Sequence, residues 1–459
     1  MNRMRQIPTL FVLLSLFLIG CQLEKQQTSP PNIVLFFVDD MGWQDTSVPF
    51  WDQPTNFNKT YKTPNMERLA KKGVKFTNAY ATPVCSPTRV SLMTGMNAAR
   101  HRVTNWTLQP DKLQPMELNH PTLAFPDWNY NGIGLEAATP NAAYAKPLPQ
   151  LLSEKGYFTL HAGKAHFGAI GYPSSNPINL GFQVNIAGHA AGAPESYLGR
   201  ENFGNGKKGK EVWAVPGLEK YHGEDLFLTE VLSKEVRTAL DEPVAKKQPF
   251  FLYFALYGIH TPLMANDRYI KPYREKGMEE PEARYASMIE SMDTALGEVL
   301  DYLKANQLED NTIILFMSDN GGLSAVARGG EKHTHNFPLK SGKGSIYEGG
   351  IRVPTVAKWP GKINPGTTSD HVSAFWDWLP TLSEVAGGKN PKNIDGISMM
   401  PAMKGINQKK HDYLYWEFPS YGVQQAVRMG DWKGIRQKMS KAKKSADLVT
   451  ELYLSLIHI

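Results

Sequence analysis

The chain has 459 residues, of which 41% are hydrophobic, and a formal net charge of +6. A chain of this length outgrows a single core, which predicts a large domain with a smaller one beside it. Arg428 to Lys444 holds seven Lys/Arg against Asp431 and carries the whole excess charge, so charge gives no argument for a nucleic-acid partner and none is expected. The basic run itself reads as a solvated face near the C-terminus.

At the N-terminus Arg3 and Arg5 precede an apolar stretch, Leu10 to Ile19, broken only by Ser15. This pattern is an export signal, too short for a membrane span of about 20 residues. It ends in Leu18-Ile19-Gly20-Cys21, which resembles a bacterial lipobox. Residues 1–20 are therefore expected to be a lipoprotein signal peptide, with Cys21 as the lipidated first residue of the mature protein. An ordinary signal peptide cleaved nearby is the alternative. Residues 21–31 read as a polar tether, which predicts an exported protein in the periplasm or at the cell surface, anchored to the membrane through Cys21. Cys85 is the other cysteine, so no disulfide framework is expected.

Asn32 to Val38 is a continuous apolar run stopping at Asp39-Asp40, the pattern of a strand buried on both faces of a parallel sheet. Thr63-Pro64 begins a helix that Gly73 ends, and Val74 to Tyr80 leads to the loop before Cys85. Cys85-Ser86-Pro87-Thr88-Arg89 opens the next helix. Ser86 suits the N-cap, Pro87 the first helical position and Gly95 the residue past the end. Cys85 thus stands at a helix N-terminus, and Arg89, four residues on, shares its face. Leu148 to Glu154 reads as a helix and Tyr157 to Leu160 as a strand, which leads to Gly163-Lys164-Ala165-His166. Leu228, Val231, Leu232, Val236 and Leu240 keep helical spacing. Phe250 to Leu256 is another apolar strand and runs into Gly258-Ile259-His260. Met288 to Leu303 is a long amphipathic helix, followed by a strand, Thr312 to Met317, that ends in Ser318-Asp319-Asn320. Helices alternating with apolar strands predict an α/β fold with a mostly parallel sheet. Past about residue 410, Tyr413 to Glu417 and Ala426 to Arg436 read as short antiparallel strands about a Gly430-Asp431 turn. The predicted layout is a catalytic domain over 32–410 and a small C-terminal subdomain over 411–459.

Asp39, Asp40, Asp319 and Asn320 follow two such strands and offer hard oxygen ligands, a set suited to Ca²⁺ or Mg²⁺ rather than Zn²⁺. Carboxylates converging on one point need a cation to stay ionised together.

Cys85-Ser86-Pro87-Thr88-Arg89 resembles the Cys-x-Pro-x-Arg signature of the formylglycine-dependent sulfatases. Asp39-Asp40, Gly163-Lys164-Ala165-His166, His260, Asp319-Asn320 and the Gly342-Lys343-Gly344 segment resemble that family's other motifs, in the family's order, from Asn32 to about Tyr453. The resemblance implies an alkaline phosphatase-like α/β fold. It also implies that a maturation enzyme converts Cys85 to formylglycine (3-oxoalanine), whose hydrate attacks a sulfate ester. One Ca²⁺ would be held by Asp39, Asp40, Asp319, Asn320 and residue 85. Lys164 and Lys343 would hold the sulfate, Arg89 the diol, and Asp319 would activate the attacking hydroxyl. His260, assisted by Lys343, would protonate the leaving alcohol, and His166 would take the proton that expels sulfate. Ala165 stands where many members carry tryptophan. Glu451-Leu452-Tyr453 resembles the start of the family's closing motif, which Leu454 to Ile459 does not continue, so the C-terminus reads as truncated.

A long insertion, residues 105–145, carries Trp106, Phe125, Trp128 and Tyr130, and 172–217 is rich in Gly and Asn. Loops of this length are usually functional. Trp106 is expected to contact substrate, with His101 and Arg102 reading hydroxyls or a second anion, and the expected substrate is a sulfated polysaccharide or glycosaminoglycan fragment. Packing of the aromatics onto the surface is the alternative for them. The alternatives for the whole chain are a phosphatase or phosphonate monoester hydrolase of the same superfamily, or a catalytically dead glycan-binding surface lipoprotein. For the anchor, Cys21→Ala is expected to shift the protein from the detergent phase to the aqueous phase, or to leave it unprocessed, because acyl chains contribute about 0.8 kcal/mol per buried CH₂. Unchanged partition would place the anchor elsewhere.

Overall fold

The computed structural model describes residues 29–113, 120–324 and 327–454. The signal segment, Cys21, the tether as far as residue 28 and the tail 455–459 lie outside them. No helix among the described residues is long and apolar enough to cross a membrane.

Eight strands build the large sheet: β1 (Asn32–Val38), β2 (Val74–Phe76), β3 (Phe158–Gly163), β4 (Val184–Ile186), β5 (Phe250–Ala255), β6 (Thr312–Ser318), β7 (Thr355–Lys358) and β8 (Thr367–Ser369). Their order is β8-β2-β7-β6-β1-β5-β3-β4. All neighbours run parallel except β7, which is antiparallel to both β2 and β6.

The apolar run of β1 is buried at every position, because successive side chains of a strand enter opposite cores. Val34, Phe36 and Val38 face a layer formed by α1 (Pro64–Lys71), α4 (Leu228–Ala245) and α5 (Glu280–Ala305). Ile33, Leu35 and Phe37 face α2 (Cys85–Thr94), α3 (Leu148–Ser153) and α6 (Trp378–Val385). Burying each such side chain is worth about 1.5–3 kcal/mol, so the central strands hold the two layers together. The expected α/β architecture and its mostly parallel sheet are what the structure shows.

A second sheet is antiparallel, in the order β9 (Leu414–Phe418), β10 (Gln424–Met429), β11 (Trp432–Arg436) and β12 (Glu451–Leu454). Leu414, Trp416, Phe418, Ala426 and Ile435 form its buried face, packed on Tyr80, Val84 and Trp376. Here the basic run departs from expectation. Lys438, Lys441, Lys443 and Lys444 are exposed, but Arg428 and Lys433 are buried. Lys433 Nζ lies 2.6 Å from Glu348 Oε1, the Tyr80 hydroxyl donates to Glu348 Oε2 at 2.8 Å, and Arg428 donates to the Tyr80 oxygen. Buried cations persist only when paired, and Glu348 is what admits these two. Glu348→Ala leaves them without a counter-charge at a cost of about 3–5 kcal/mol. It should speed proteolytic cleavage within 414–454 well before the rest of the chain is cut; equal rates for both proteins would show that the apolar face alone holds the sheet.

Candidate functional site

The register of β1 on β6 pairs Val38 with Ser318, so Asp39-Asp40 and Asp319-Asn320 emerge side by side at the carboxyl ends of neighbouring strands. Lys164 follows β3 and His260 lies just beyond β5, on the other side of β1. Four adjacent strands thus deliver polar groups to one end of the sheet, the place where open α/β sheets bind ligands.

Asp39, Asp40, Asp319 and Asn320 are fully buried. Three cations neutralise the three carboxylates. Lys164 Nζ is 2.7 Å from Asp39 Oδ2, Lys343 Nζ is 2.6 Å from Asp40 Oδ1, and the Nε and Nη2 of Arg89 donate to Asp319 Oδ2 at 3.0 and 2.9 Å. Arg89 also donates to the carbonyl of Lys164 at 2.8 Å and lies over the ring of Phe37, so every part of its guanidinium has a partner. Burial raises the Asp39 carboxyl well above the usual carboxylate range, and the neighbouring Asp319 adds to the rise, against the pull of Lys164. For Asp40, burial pushes upward, but Lys343, His260 and Lys164 prevail and hold it below that range. Burial is likewise outweighed at Asp319 by Arg89 and Lys164.

Asp40 adopts φ 64°, a left-handed conformation uncommon outside glycine. Its N–H donates to Asp319 Oδ1 at 3.2 Å and its Oδ1 accepts from Asn320 Nδ2 at 2.9 Å, while the Tyr285 hydroxyl donates to its carbonyl at 3.3 Å. Those contacts aim both aspartates inward. Single ligand atoms of Asp39, Cys85 and Asp319 lie within 4.8 Å of one another, and Asp39 Oδ1 and Asn320 Oδ1 are buried without a hydrogen-bond partner. Unpaired buried oxygens beside converging carboxylates are what a hard cation requires, so the donor set fits a divalent cation that prefers oxygen ligands.

Helix α2 begins at Cys85 and ends at Gly95, whose φ of 69° closes it. Ser86 does not cap it, contrary to the sequence expectation: Val84 occupies the cap, and the Ser86 hydroxyl instead accepts the Thr107 N–H at 3.1 Å. Burial raises the Cys85 thiol above its ordinary value, so as an unmodified side chain it is a protonated and poor nucleophile. His166 Nδ1 lies 3.3 Å from Cys85 Sγ, and its Nε2 lies 2.7 Å from the Thr107 carbonyl. A carbonyl accepts, so Nε2 carries the proton and Nδ1 presents a lone pair to residue 85. Burial, with Lys164 and Arg89 nearby, keeps this imidazole neutral. Gly192 makes room for it, since a Cβ there would lie 2.3 Å from the ring.

His260 is oriented in the same manner. Its Nδ1 donates to the Thr261 carbonyl at 2.7 Å and its Nε2 stands 3.7 Å from Asp40 Oδ2. Burial and Lys343 push it down to about 3. Lys343 is held protonated, because Asp40 and the other acids overcome its burial.

Above these groups lies a cleft of about 740 Å³, lined at its base by Cys85, His166, His260 and Lys343. Trp106 lines it. Arg102 is exposed and lines a small neighbouring cleft, donating to the Asp127 carbonyl at 3.5 Å. His101 does not reach either cleft. It is buried, with Nε2 2.9 Å from Ser91 Oγ and Nδ1 accepting the Val103 N–H at 3.1 Å, so it braces α2 rather than contacting a ligand. Trp128 is also buried, against Phe125.

The sequence reading missed the groups that hold Asp40 from behind. Arg328 is buried between Asp45, 3.0 Å from its Oδ1, and Glu282, 2.9 Å from its Oε1, with its guanidinium 4.0 Å from the centroid of Tyr285. Asp45 Oδ2 accepts from the Tyr285 hydroxyl at 2.7 Å and from the Gly42 N–H at 2.8 Å. Asp45 lies six residues after Asp39 and was the visible signal; Arg328 sits in a loop with no local pattern.

This fold and site define a hydrolase of alkaline phosphatase-like architecture, with a buried cysteine at a helix start and converging acidic groups that could hold a cation beside it. The sulfatase family model matches residues 31–388, and a model for the C-terminal region of N-sulphoglucosamine sulphohydrolase matches residues 341–448. The chain belongs to the sulfatase family and is a sulfuric ester hydrolase. It is 30% identical to N-acetylgalactosamine-6-sulfatase of Canis lupus familiaris, over 88% of this chain and 71% of that one. A sulfatase of Formosa agariphila is 27% identical over 92% of this chain and 81% of its own. The solved structure of Ps i-CgsB superposes with a TM-score of 0.70 at 31% identity, covering 93% of this chain and 86% of that one, and it has also been solved in complex with k-i-k-neocarrahexaose.

Arg328→Met would leave Asp45 and Glu282 with tyrosine hydroxyls but no counter-charge, a loss of about 3–5 kcal/mol. The urea midpoint should fall accordingly. An unmoved midpoint would mean that the hydroxyls suffice.

Proposed function

We propose that this sulfatase removes sulfate from a sulfated polysaccharide or glycosaminoglycan fragment, using formylglycine made from Cys85 by a maturation enzyme. The observation that carries the reading is the pairing of a buried, protonated Cys85 with a neutral His166 whose lone pair faces it. A base facing residue 85 suits the second hydroxyl of a hydrated aldehyde, whose proton must leave as sulfate is expelled. Oxidised and hydrated, residue 85 supplies two hydroxyls, one to attack sulfur and one to release the sulfate afterwards.

Asp39, Asp40, Asp319 and Asn320 would hold a calcium ion together with residue 85, and that ion supplies fixed positive charge to the sulfate oxygens. Arg89, Lys164 and Lys343 already offset the acidic groups one to one, so the added charge suits an anionic ester. Lys164 and Lys343 direct their ammonium groups to the sulfate, and Arg89 steadies the attacking hydroxyl while Asp319 accepts its proton. Lys343 and His260 flank the leaving oxygen. His260 is the expected proton donor to the leaving alcohol, but burial and Lys343 keep it neutral, so Lys343, which already carries a proton, takes the donor role and His260 Nε2 orients the alcohol. His166 Nδ1 then takes the proton of the remaining hydroxyl as sulfate departs. The glycan assignment is supported by the N-acetylgalactosamine-6-sulfatase relative and by the Ps i-CgsB complex with neocarrahexaose. A lipid on Cys21 would keep this activity at the membrane surface.

The tryptic peptide containing Cys85 should weigh about 18 Da less than its sequence requires. Cys85→Ser, which has one hydroxyl and no means to eject sulfate, should stall after roughly one turnover as an adduct about 80 Da heavier. Sustained turnover by that variant, with its serine confirmed unoxidised, would exclude the diol.

A further inference from the structure

The base of the cleft serves the sulfate, but its rim is built from three segments far apart in sequence. Trp106 comes from the insertion after α2, Trp213 from a short turn at Glu211–Trp213, and Tyr421 from the connection between β9 and β10. Two of these positions are fixed by local devices. The Trp213 carbonyl accepts the Glu195 N–H at 2.9 Å, so the two segments of that wall are tied together. Tyr421 lies on Gly344, where a Cβ would come within 2.6 Å of its ring, and its ring centroid is 5.7 Å from that of Phe418. Gly344 adjoins Lys343 in the chain, and both Tyr421 and Lys343 line the cleft, yet 74% of Tyr421 is exposed. Trp128 is buried, with the half-buried Phe125 against it. Trp106 and Trp213 are half-buried and Tyr421 is exposed, and all three line one cleft.

Between the aromatics stand Glu195 and Lys210, whose charged atoms are 3.8 Å apart. That separation is beyond a hydrogen bond, which leaves Glu195 able to accept and Lys210 able to donate to a third party. Flat apolar faces flanked by a few polar groups match a sugar ring, with its C–H face and its hydroxyl edge.

We infer that Trp106, Trp213 and Tyr421, with Glu195 and Lys210, form a subsite for a second sugar ring. That ring is joined to the one bearing the scissile sulfate, so the substrate is an oligosaccharide rather than a single sulfated sugar. This rests on the sulfatase reading above. It adds that the small antiparallel sheet takes part in substrate selection through Tyr421.

The test uses the matured full-length enzyme with 4-methylumbelliferyl sulfate, a sulfated monosaccharide, and defined sulfated di- and hexasaccharides of carrageenan and glycosaminoglycan type. For the best glycan series, kcat/KM should rise about tenfold or more from the monosaccharide to the longer forms. In Trp213→Ala and Tyr421→Ala the ratio of oligosaccharide to aryl-sulfate kcat/KM should fall about tenfold, and Tyr421→Phe should retain it because the ring face remains. The ratio does not depend on how much of a variant is folded. Equal rates on mono- and oligosaccharide, or ratios unmoved in both alanine variants, would each overturn the subsite and leave the sulfatase reading intact, whereas hydrolysis of the aryl ester with no oligosaccharide desulfated would overturn the subsite and the glycan assignment together. No sulfate release from any substrate would instead overturn the sulfatase reading and the subsite with it.

Discussion

Three carboxylates buried together cannot stay ionised unless positive charge meets them, and that requirement organises one end of this molecule. Asp39, Asp40 and Asp319 are brought side by side by the parallel register of two central strands. Arg89, Lys164 and Lys343 answer them one to one, and each comes from a different part of the chain. Arg89 does more than balance charge. By binding Asp319 and the Lys164 carbonyl together it ties α2 to the ends of β6 and β3, and Cys85, one turn earlier on the same helix face, is placed by that tie. The placement of Cys85 is therefore a consequence of the electrostatics rather than a separate feature.

The groups behind the site have no chemistry of their own but keep its geometry. Tyr285 holds the Asp40 carbonyl, Asp45 holds Tyr285, and Arg328 is clamped between Asp45 and Glu282. On the opposite side the antiparallel sheet is fastened by Glu348, at the start of the short helix that follows the Lys343 segment. Gln424 of that sheet donates to the Gly344 carbonyl at 2.9 Å. The loop carrying Lys343 is thus held from the C-terminal sheet, which makes that sheet part of the site.

Local pattern revealed a good deal. Continuous apolar runs marked β1, β5 and β6, because a strand buried on both faces needs no polar alternation. Polar residues directly after those runs marked Asp39-Asp40 and Asp319-Asn320. The failures have physical causes. Seven basic residues in one stretch were read as solvated, yet Arg428 and Lys433 point inward, since alternate residues of a strand face opposite sides and Glu348 waits on the inner one. Ser86 suited a cap by type, but the cap position fell on Val84 and its hydroxyl found Thr107. His101 looked available as a ligand contact and is a buried brace for α2.

By itself the sequence determined which residue types stand at the ends of buried strands, and with them the fold class, the oxygen-rich donor set and the Cys85–Arg89 spacing on one helix face. These are local properties, carried by periodicity and by neighbours a few residues apart. Only the tertiary structure decided which cation meets which carboxylate, which nitrogen of His166 carries the proton, and that Trp106, Trp213 and Tyr421 share one cleft. Those outcomes depend on contacts between residues tens to hundreds of positions apart, where chain spacing says nothing and strand register and packing settle the partners.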